Sequence, residues 1–322
     1  MELKSIFEPV EHDMIKVEEQ LDFFTKSSEA EHLSNLLKHV FDSKGKRARP
    51  VLTLLSGAFS ESNKENVVRM ASAVEMLHIA TLVHDDTVDE AKTRRGRVTV
   101  SSNWGQHTAV LLGDYIFAAS ATYVCDTKNV RVIRRFSETI MELSRGELLE
   151  MSAAFQPNFD LDGYLGRIYL KTGSLFSTAG ESGAVLSGVG EEYVTALKTF
   201  SYKIGMAFQV MDDILDFEGN EETLGKPVGS DLLNGIVTLP VIYASENTKL
   251  RDLLNSFFLD NSKIEIHSEI TEFIRRSYSI ERCYDYAHSL VYEAKEQLQL
   301  LPKTKSRDAL EALSEFITGR TT

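Results

Sequence analysis

The sequence predicts an all-α protein, and three observations carry that expectation. Its 322 residues contain only six prolines (Pro9, Pro50, Pro157, Pro227, Pro240 and Pro302), which leaves long intervals without the residue that breaks helices. Hydrophobic residues make up 43% of the chain, enough for a sizeable core, and they recur at helical spacing. No alternating apolar and polar run is long enough to require a sheet. No linker or low-complexity tract divides the chain, so residues 1–322 are expected to form a single domain.

Residues 8–25 and 30–41 have the spacing of amphipathic helices. Gly45-Lys46-Arg47-Ala48-Arg49-Pro50 forms a basic loop into an apolar helix starting near Val51. A long helix is expected over Lys64–Val88, then a basic loop over Lys92–Arg97. Further helices are expected over about 107–125, 130–154 and 161–187. Gly188-Val189-Gly190 ends the last of these, and 191–217 follows as another helix. Residues 218–235, rich in Gly, Asn and Pro, are expected to be a loop, with two or three helices after them.

The formal net charge of −13 argues against nucleic acid as a partner. Cys125 and Cys283 match no zinc or redox spacing and fit a reducing compartment. The start of the chain has early acids and no apolar signal core. No run approaches bilayer-spanning length; the stretch around Val110-Leu111-Leu112 is interrupted by Asp114. The expectation is a soluble cytoplasmic protein, at most peripheral to a membrane and not integral to it.

Chemistry enters with two acidic triplets, Asp85-Asp86-Thr87-Val88-Asp89 and Asp212-Asp213-Ile214-Leu215-Asp216. On a helix, positions i, i+1 and i+4 lie within about 100° of one another, so each triplet projects three carboxylates from a narrow face. Like charges so close destabilise a helix, and burying them unpaired costs far more. Hard oxygen ligands suit Mg²⁺ carried with a phosphate, and the pair of triplets points to a diphosphate clamped through magnesium. One such motif alone is equally well a solvated acidic face. Two, each among apolar neighbours such as Leu82 and Val83 or Val210 and Met211, are hard to explain as surface decoration. Arg94-Arg95-Gly96-Arg97, Lys46, Arg49, Lys171 and Lys226 supply the cations that anionic substrates need.

These segments, in this order, resemble the all-trans polyprenyl diphosphate synthases. The match runs from Gly45-Lys46-Arg47-Ala48-Arg49-Pro50 through Glu75-Met76-Leu77-His78, both triplets, Gly113-Asp114-Tyr115, Lys171-Thr172 and Gln209, to Thr238-Leu239-Pro240. The resemblance implies an isoprenoid-synthase-type helical bundle around a deep central cavity. It implies consecutive condensation of isopentenyl diphosphate onto an allylic diphosphate, with farnesyl diphosphate as the expected primer. Lys46, Arg49, His78 and Arg95 would hold isopentenyl diphosphate, although His78 is also readable as a satisfied core histidine. Asp85, Asp86, Asp89, Asp212, Asp213 and Asp216 would bind about three Mg²⁺ ions per site and, through them, the allylic diphosphate. Arg94, Lys171, Thr172, Gln209 and Lys226 would contact that diphosphate, with Lys171 and the six aspartates as the catalytic set. Asp231 is a weaker candidate at the same rim.

Thr81 and Ala80 precede Asp85 by four and five residues, about one helical turn. Both are small where short-chain relatives place a bulky aromatic floor, so the expected product is long. Ala73, Met76, Leu77, Ala119, Ser120 and Tyr123 are deeper wall candidates, with Tyr123 the candidate floor. Many relatives carry a lysine just before Thr-Leu-Pro; here the stretch reads Gly235-Ile236-Val237, so one basic contact is missing. The segment Gly229-Ser230-Asp231-Leu232-Leu233-Asn234-Gly235 is most similar to the large component of Gram-positive heptaprenyl diphosphate synthases, which need a small second subunit. That likeness implies a heptaprenyl product for menaquinone side chains, with hexaprenyl or octaprenyl as alternatives. The partner would be a small regulatory subunit or a second copy of the chain. A terpene cyclase would lack the full second triplet and the isopentenyl cations. A non-catalytic subunit could lose one triplet, and a phosphohydrolase reading of His84-Asp85 finds no matching histidines.

Overall fold

A computed structural model describes residues 6–27, 30–43, 45–219, 227–260 and 264–319. After a 3-10 turn at Glu8–Val10 come α1 (Glu11–Lys26), α2 (Glu31–Phe41), α3 (Ala48–Gly57) and α4 (Lys64–Val88). A two-residue antiparallel hairpin follows, β1 (Thr93–Arg94) with β2 (Arg97–Val98), where the sequence predicts only a loop. Then come α5 (Val100–Trp104), α6 (Gln106–Asp126), α7 (Val130–Ala153) and α8 (Leu161–Ile168). A π turn at Tyr169–Gly173 separates α8 from α9 (Ser174–Ser187), interrupting what the periodicity predicts as one helix. Next are α10 (Glu191–Glu218) and α11 (Ser230–Leu233), the latter inside a segment expected to be loop. The C-terminal part holds α12 (Leu239–Ala244), α13 (Thr248–Leu259), α14 (Ile264–Arg276), α15 (Tyr278–Leu298) and α16 (Lys305–Thr318), more helices than the two or three expected. The fold is all-α, as predicted; the hairpin is the only sheet among the described residues.

The chain divides into two compact units. The first comprises the described residues of Met1–Glu138, Thr178–Lys198 and Leu300–Leu310. Its centre is α4, against which α6, α3 and α1 pack. Between Val67 and Leu77 most of α4 is buried on every side, as expected of a helix apolar all round. Each fully buried Leu, Met or Val contributes about 1.5–3 kcal/mol, which outweighs the weak helix propensity of its β-branched residues. The second unit comprises the described residues of Thr139–Ser177, Thr199–Gln299 and Glu311–Thr322. There the short α12 packs on α15, α14 and α8.

Capping side chains set several helix starts. Asp160 accepts from the Asp162 and Gly163 amides at α8, Thr99 from Ser102 at α5, and Asn247 from Leu250 at α13.

Two helices, α4 and α6, have the length and mean hydropathy of membrane spans, contrary to the expectation that no run comes close. In α4, 72% of the apolar window is buried within the protein, so its composition is that of a core helix. In α6 the figure is 33%, and Leu111 and Tyr115 are exposed.

Candidate active site

In the first unit, the end of α4 delivers Asp85, Asp86 and Asp89 in increasing contact with solvent from a buried middle member. Asp86 is buried, Asp85 half-buried and Asp89 exposed. The Arg94 Nε donates to Asp86 Oδ1. Burial nevertheless raises the Asp86 carboxyl above the usual range, with Arg94 opposing the shift.

The hairpin that carries Arg94 is tied down on both sides. The Thr99 hydroxyl donates to the Ala91 carbonyl at 2.6 Å, and the Thr99 amide to the Lys92 carbonyl at 3.1 Å. A His39 ring nitrogen lies 2.8 Å from the Val98 carbonyl, and the ring packs edge-on against Trp104 at 4.8 Å. A cleft opens here, lined by Val40, Ile79, Val83, Val98, Arg94 and Arg95 among others.

Arg95, in the left-handed region at φ 50°, lays its guanidinium over Gly45. A Cβ on Gly45 would sit 2.6 Å from Arg95 Nη1, so any side chain there would displace the guanidinium. Arg49 Nη1 lies 3.2 Å from His78 Nε2. Because a guanidinium only donates, Nε2 accepts and the imidazole proton resides on Nδ1. Burial, then the charges of Arg49, Arg95, Arg94 and Arg47, push the His78 pKa well below its ordinary value, so the ring is neutral. The structure thus brings Arg49, His78 and Arg95 together; Lys46, immediately before the cap of α3, is exposed.

Close by on the same helix, Ala80 is fully buried and Thr81 half-buried, with the Thr81 hydroxyl donating to the His78 carbonyl at 2.8 Å. Tyr123 on α6 reaches the Gln20 carbonyl of α1 at 3.4 Å, and Ala73, Met76 and Leu77 are core.

In the second unit, a hydrogen-bonded chain organises the other triplet. The Thr172 hydroxyl donates to Gln209 Oε1 at 2.7 Å, and Gln209 Nε2 donates to Asp213 Oδ1 at 3.0 Å. The Tyr164 hydroxyl donates to Asp213 Oδ2 at 2.6 Å. Burial pushes the Asp213 carboxyl up to about 7, against the lowering effect of Tyr164 and Gln209. Asp216, also buried, accepts from the Ser230 hydroxyl at 2.8 Å and the Asp231 amide at 3.1 Å, which anchors the start of α11. Asp212 is half-buried.

The π turn presents Lys171 and Thr172 to different neighbours. While Thr172 meets α10, Lys171 Nζ bonds Glu150 and Glu147 on α7, the latter at 3.0 Å, and those two carboxylates hold it charged against the opposing effect of burial. Gly205 lets α10 approach this turn and the start of α9, since a Cβ there would lie 3.0 Å from Gly173 Cα and 2.7 Å from Phe176 Cβ. Lys226 lies outside the described residues. Tyr164, Glu147, Glu150 and Arg47 are site neighbours that sequence reasoning missed; they lie in no acidic or basic cluster of diagnostic spacing, save Arg47, which sits inside a quoted motif.

Among the described residues no three His, Cys, Asp or Glu groups converge into a ready ion site. The acidic triplets still fit a hard divalent cation of the kind that takes one or two carboxylates and completes its shell with substrate phosphates and water.

Comparison with known proteins gives a consistent family. The polyprenyl synthetase family matches residues 30–274. A heptaprenyl diphosphate synthase component 2 from Geobacillus stearothermophilus is 37% identical over 99% of both chains. An all-trans-nonaprenyl-diphosphate synthase, geranyl-diphosphate specific, from Rhodobacter capsulatus is 36% identical over 98% of both. The crystal structure of a polyprenyl synthase from Caulobacter crescentus CB15, complexed with calcium and isoprenyl diphosphate, superposes with a TM-score of 0.92 at 30% identity, covering 100% of this chain and 98% of that one.

Proposed function

The chain belongs to the polyprenyl synthetase family and is an all-trans polyprenyl diphosphate synthase, a prenyltransferase, and from that premise we propose that it makes heptaprenyl diphosphate for a menaquinone side chain. Residues 1–322 act as one synthase domain, in the cytoplasm or at a membrane surface, extending farnesyl diphosphate with isopentenyl diphosphate. The working enzyme contains a small regulatory subunit, as the component name of the Geobacillus relative implies for that protein, or else a second copy of the chain.

The observation that carries this reading is the tie from Thr172 through Gln209 to Asp213, which joins the Lys171-Thr172 turn to an intact second acidic triplet. A cyclase or a binding-only subunit has no need of that arrangement together with the Arg49, His78 and Arg95 cluster.

Roles follow from exposure and bonding. Asp85, Asp89 and Asp212, the accessible members, would contact Mg²⁺. Asp86, Asp213 and Asp216 are buried and accept bonds from protein donors; they would serve the ions together with the accessible members while orienting the helices that carry them. Bound Mg²⁺ would offset the charge that collects on the departing pyrophosphate. Lys171, Thr172, Gln209, Lys226 and Arg94 hold the allylic diphosphate, Arg94 exchanging Asp86 for phosphate oxygens. Arg49, Arg95 and Lys46 hold the isopentenyl diphosphate, and neutral His78 contributes position without adding charge. With both substrates held, the allylic C–O bond ionises and the isopentenyl double bond attacks the cation, so placement supplies much of the rate. A proton is then lost to the released pyrophosphate.

The experiment is an incubation with farnesyl diphosphate, labelled isopentenyl diphosphate and Mg²⁺, with product length resolved, with and without a candidate small subunit. Heptaprenyl product is expected. A nonaprenyl product would overturn the length, and high turnover by the purified chain alone would overturn an obligatory subunit. The Ala80→Phe variant should stop early; a full-length product from it would refute an open passage below Asp85.

A further inference from the structure

Among the described residues three cations crowd the turn into α3, and two of them, Lys46 and Arg49, have roles in the proposed isopentenyl subsite. The third, Arg47, does something else. Its side chain is only 9% exposed, and every nitrogen of its fork is engaged by a carboxylate of the protein. Nη1 donates to Glu75 Oε1 on α4 at 2.6 Å. Nε and Nη2 donate to the two oxygens of Glu18 on α1 at 2.8 and 3.3 Å. Glu75 is itself buried, and its burial is compensated by this bond.

The backbone at Arg47 is left-handed, at φ 51° and ψ 27°. A residue with a side chain persists there only when its surroundings fix it. It is also the cap of α3, whose first backbone bond runs from the Val51 amide to the Arg47 carbonyl at 3.2 Å. The fork therefore sets the direction in which α3 begins, with Lys46 on one side and Arg49 in the first turn on the other. Glu75 precedes His78 by three residues, so one face of α4 carries both the anchor of Arg47 and the partner of Arg49. The charge of Glu75 also acts on Arg95.

We propose that Arg47, clamped between Glu18 and Glu75, is the positioning residue of the isopentenyl diphosphate subsite, fixing the turn from which Lys46 and Arg49 reach the phosphate. The proposal rests on the assignment of Lys46, Arg49, His78 and Arg95 to that substrate. Lysine cannot replace arginine here, because an ammonium is a point charge and cannot span carboxylates on two helices.

The test is steady-state kinetics of Arg47→Lys with each substrate varied in turn. The expected result is a KM for isopentenyl diphosphate raised about tenfold, with kcat and the KM for farnesyl diphosphate within about twofold. Glu75→Gln keeps the volume and weakens the clamp, and should give the same split at smaller size; it stands in if Arg47→Lys does not fold. A purely structural ion pair would instead lower thermal stability and move both KM values together or neither, and either pattern overturns the proposal. Arg49→Gln separates this from the underlying assignment. If it leaves the isopentenyl KM unchanged, the subsite itself is wrong; if it raises that KM while Arg47→Lys does not, only the positioning role fails.

Discussion

The two acidic triplets share a sequence pattern and differ in how the protein holds them. At the first, the buried member Asp86 is held by a charged partner, Arg94, on a two-residue hairpin. At the second, the buried Asp213 is held by uncharged donors, a tyrosine hydroxyl and a glutamine amide, and Asp216 accepts from a serine hydroxyl and a backbone amide. A guanidinium can leave a carboxylate for a phosphate at small net cost, because it exchanges one charged acceptor for another. A buried tyrosine hydroxyl has no such alternative. In the proposed site the first triplet would exchange partners with a substrate, and the second would stay as it is.

That difference can be broken experimentally, beginning with the largest effect. Chelation of divalent metal should abolish elongation, with Mg²⁺ restoring it. Asp85→Asn and Asp212→Asn should each lower kcat by about two to three orders of magnitude, the scale of losing charge stabilisation in a transition state; labelled isopentenyl incorporation measures it. Tyr164→Phe should cost the fold about 1–3 kcal/mol, the cost of leaving a buried acceptor without its donor, and lower kcat, as followed by thermal melts and turnover. Arg94→Gln should leave stability nearly unchanged while raising the KM for the allylic substrate about tenfold. If Arg94→Gln destabilised the protein as much as Tyr164→Phe, the contrast between exchangeable and fixed partners would fail.

The smallest effect concerns pH. The folded protein holds His78 below its ordinary value, so the unfolded chain binds a proton that the folded chain refuses. Stability from this group is complete above about pH 6.5 and declines as pH falls toward the folded value. The drop in melting temperature between about pH 7.5 and pH 5.5 should be smaller in His78→Gln than in the parent.

The sequence made much of this legible, and the reasons differ by feature. A helix from about Lys64 to Val88 was legible because its long apolar stretch is broken by neither proline nor glycine, and α4 matches it. Both triplets and the basic segments were visible because charge in an apolar context is costly and therefore conspicuous. The hairpin escaped notice because two-residue strands carry no period. The π turn escaped because Tyr169–Gly173 keeps helical composition throughout. Tyr164 and Glu75 were illegible for a different reason: a buried polar group signals its role through its partner, and their partners lie 49 and 28 residues away.

The turn at Tyr169–Gly173 has one further consequence. A backbone ladder that closes over five residues holds one amino acid more than a regular rod between the same endpoints. Deleting any single residue there would restore a regular rod between the same endpoints and change which side chains face each neighbour within the turn. Lys171 and Thr172 could not then keep their separate neighbours on α7 and α10. Such a shortened chain would gain helical regularity and lose its grip on the substrate, which makes the superfluous amino acid the one the enzyme cannot spare.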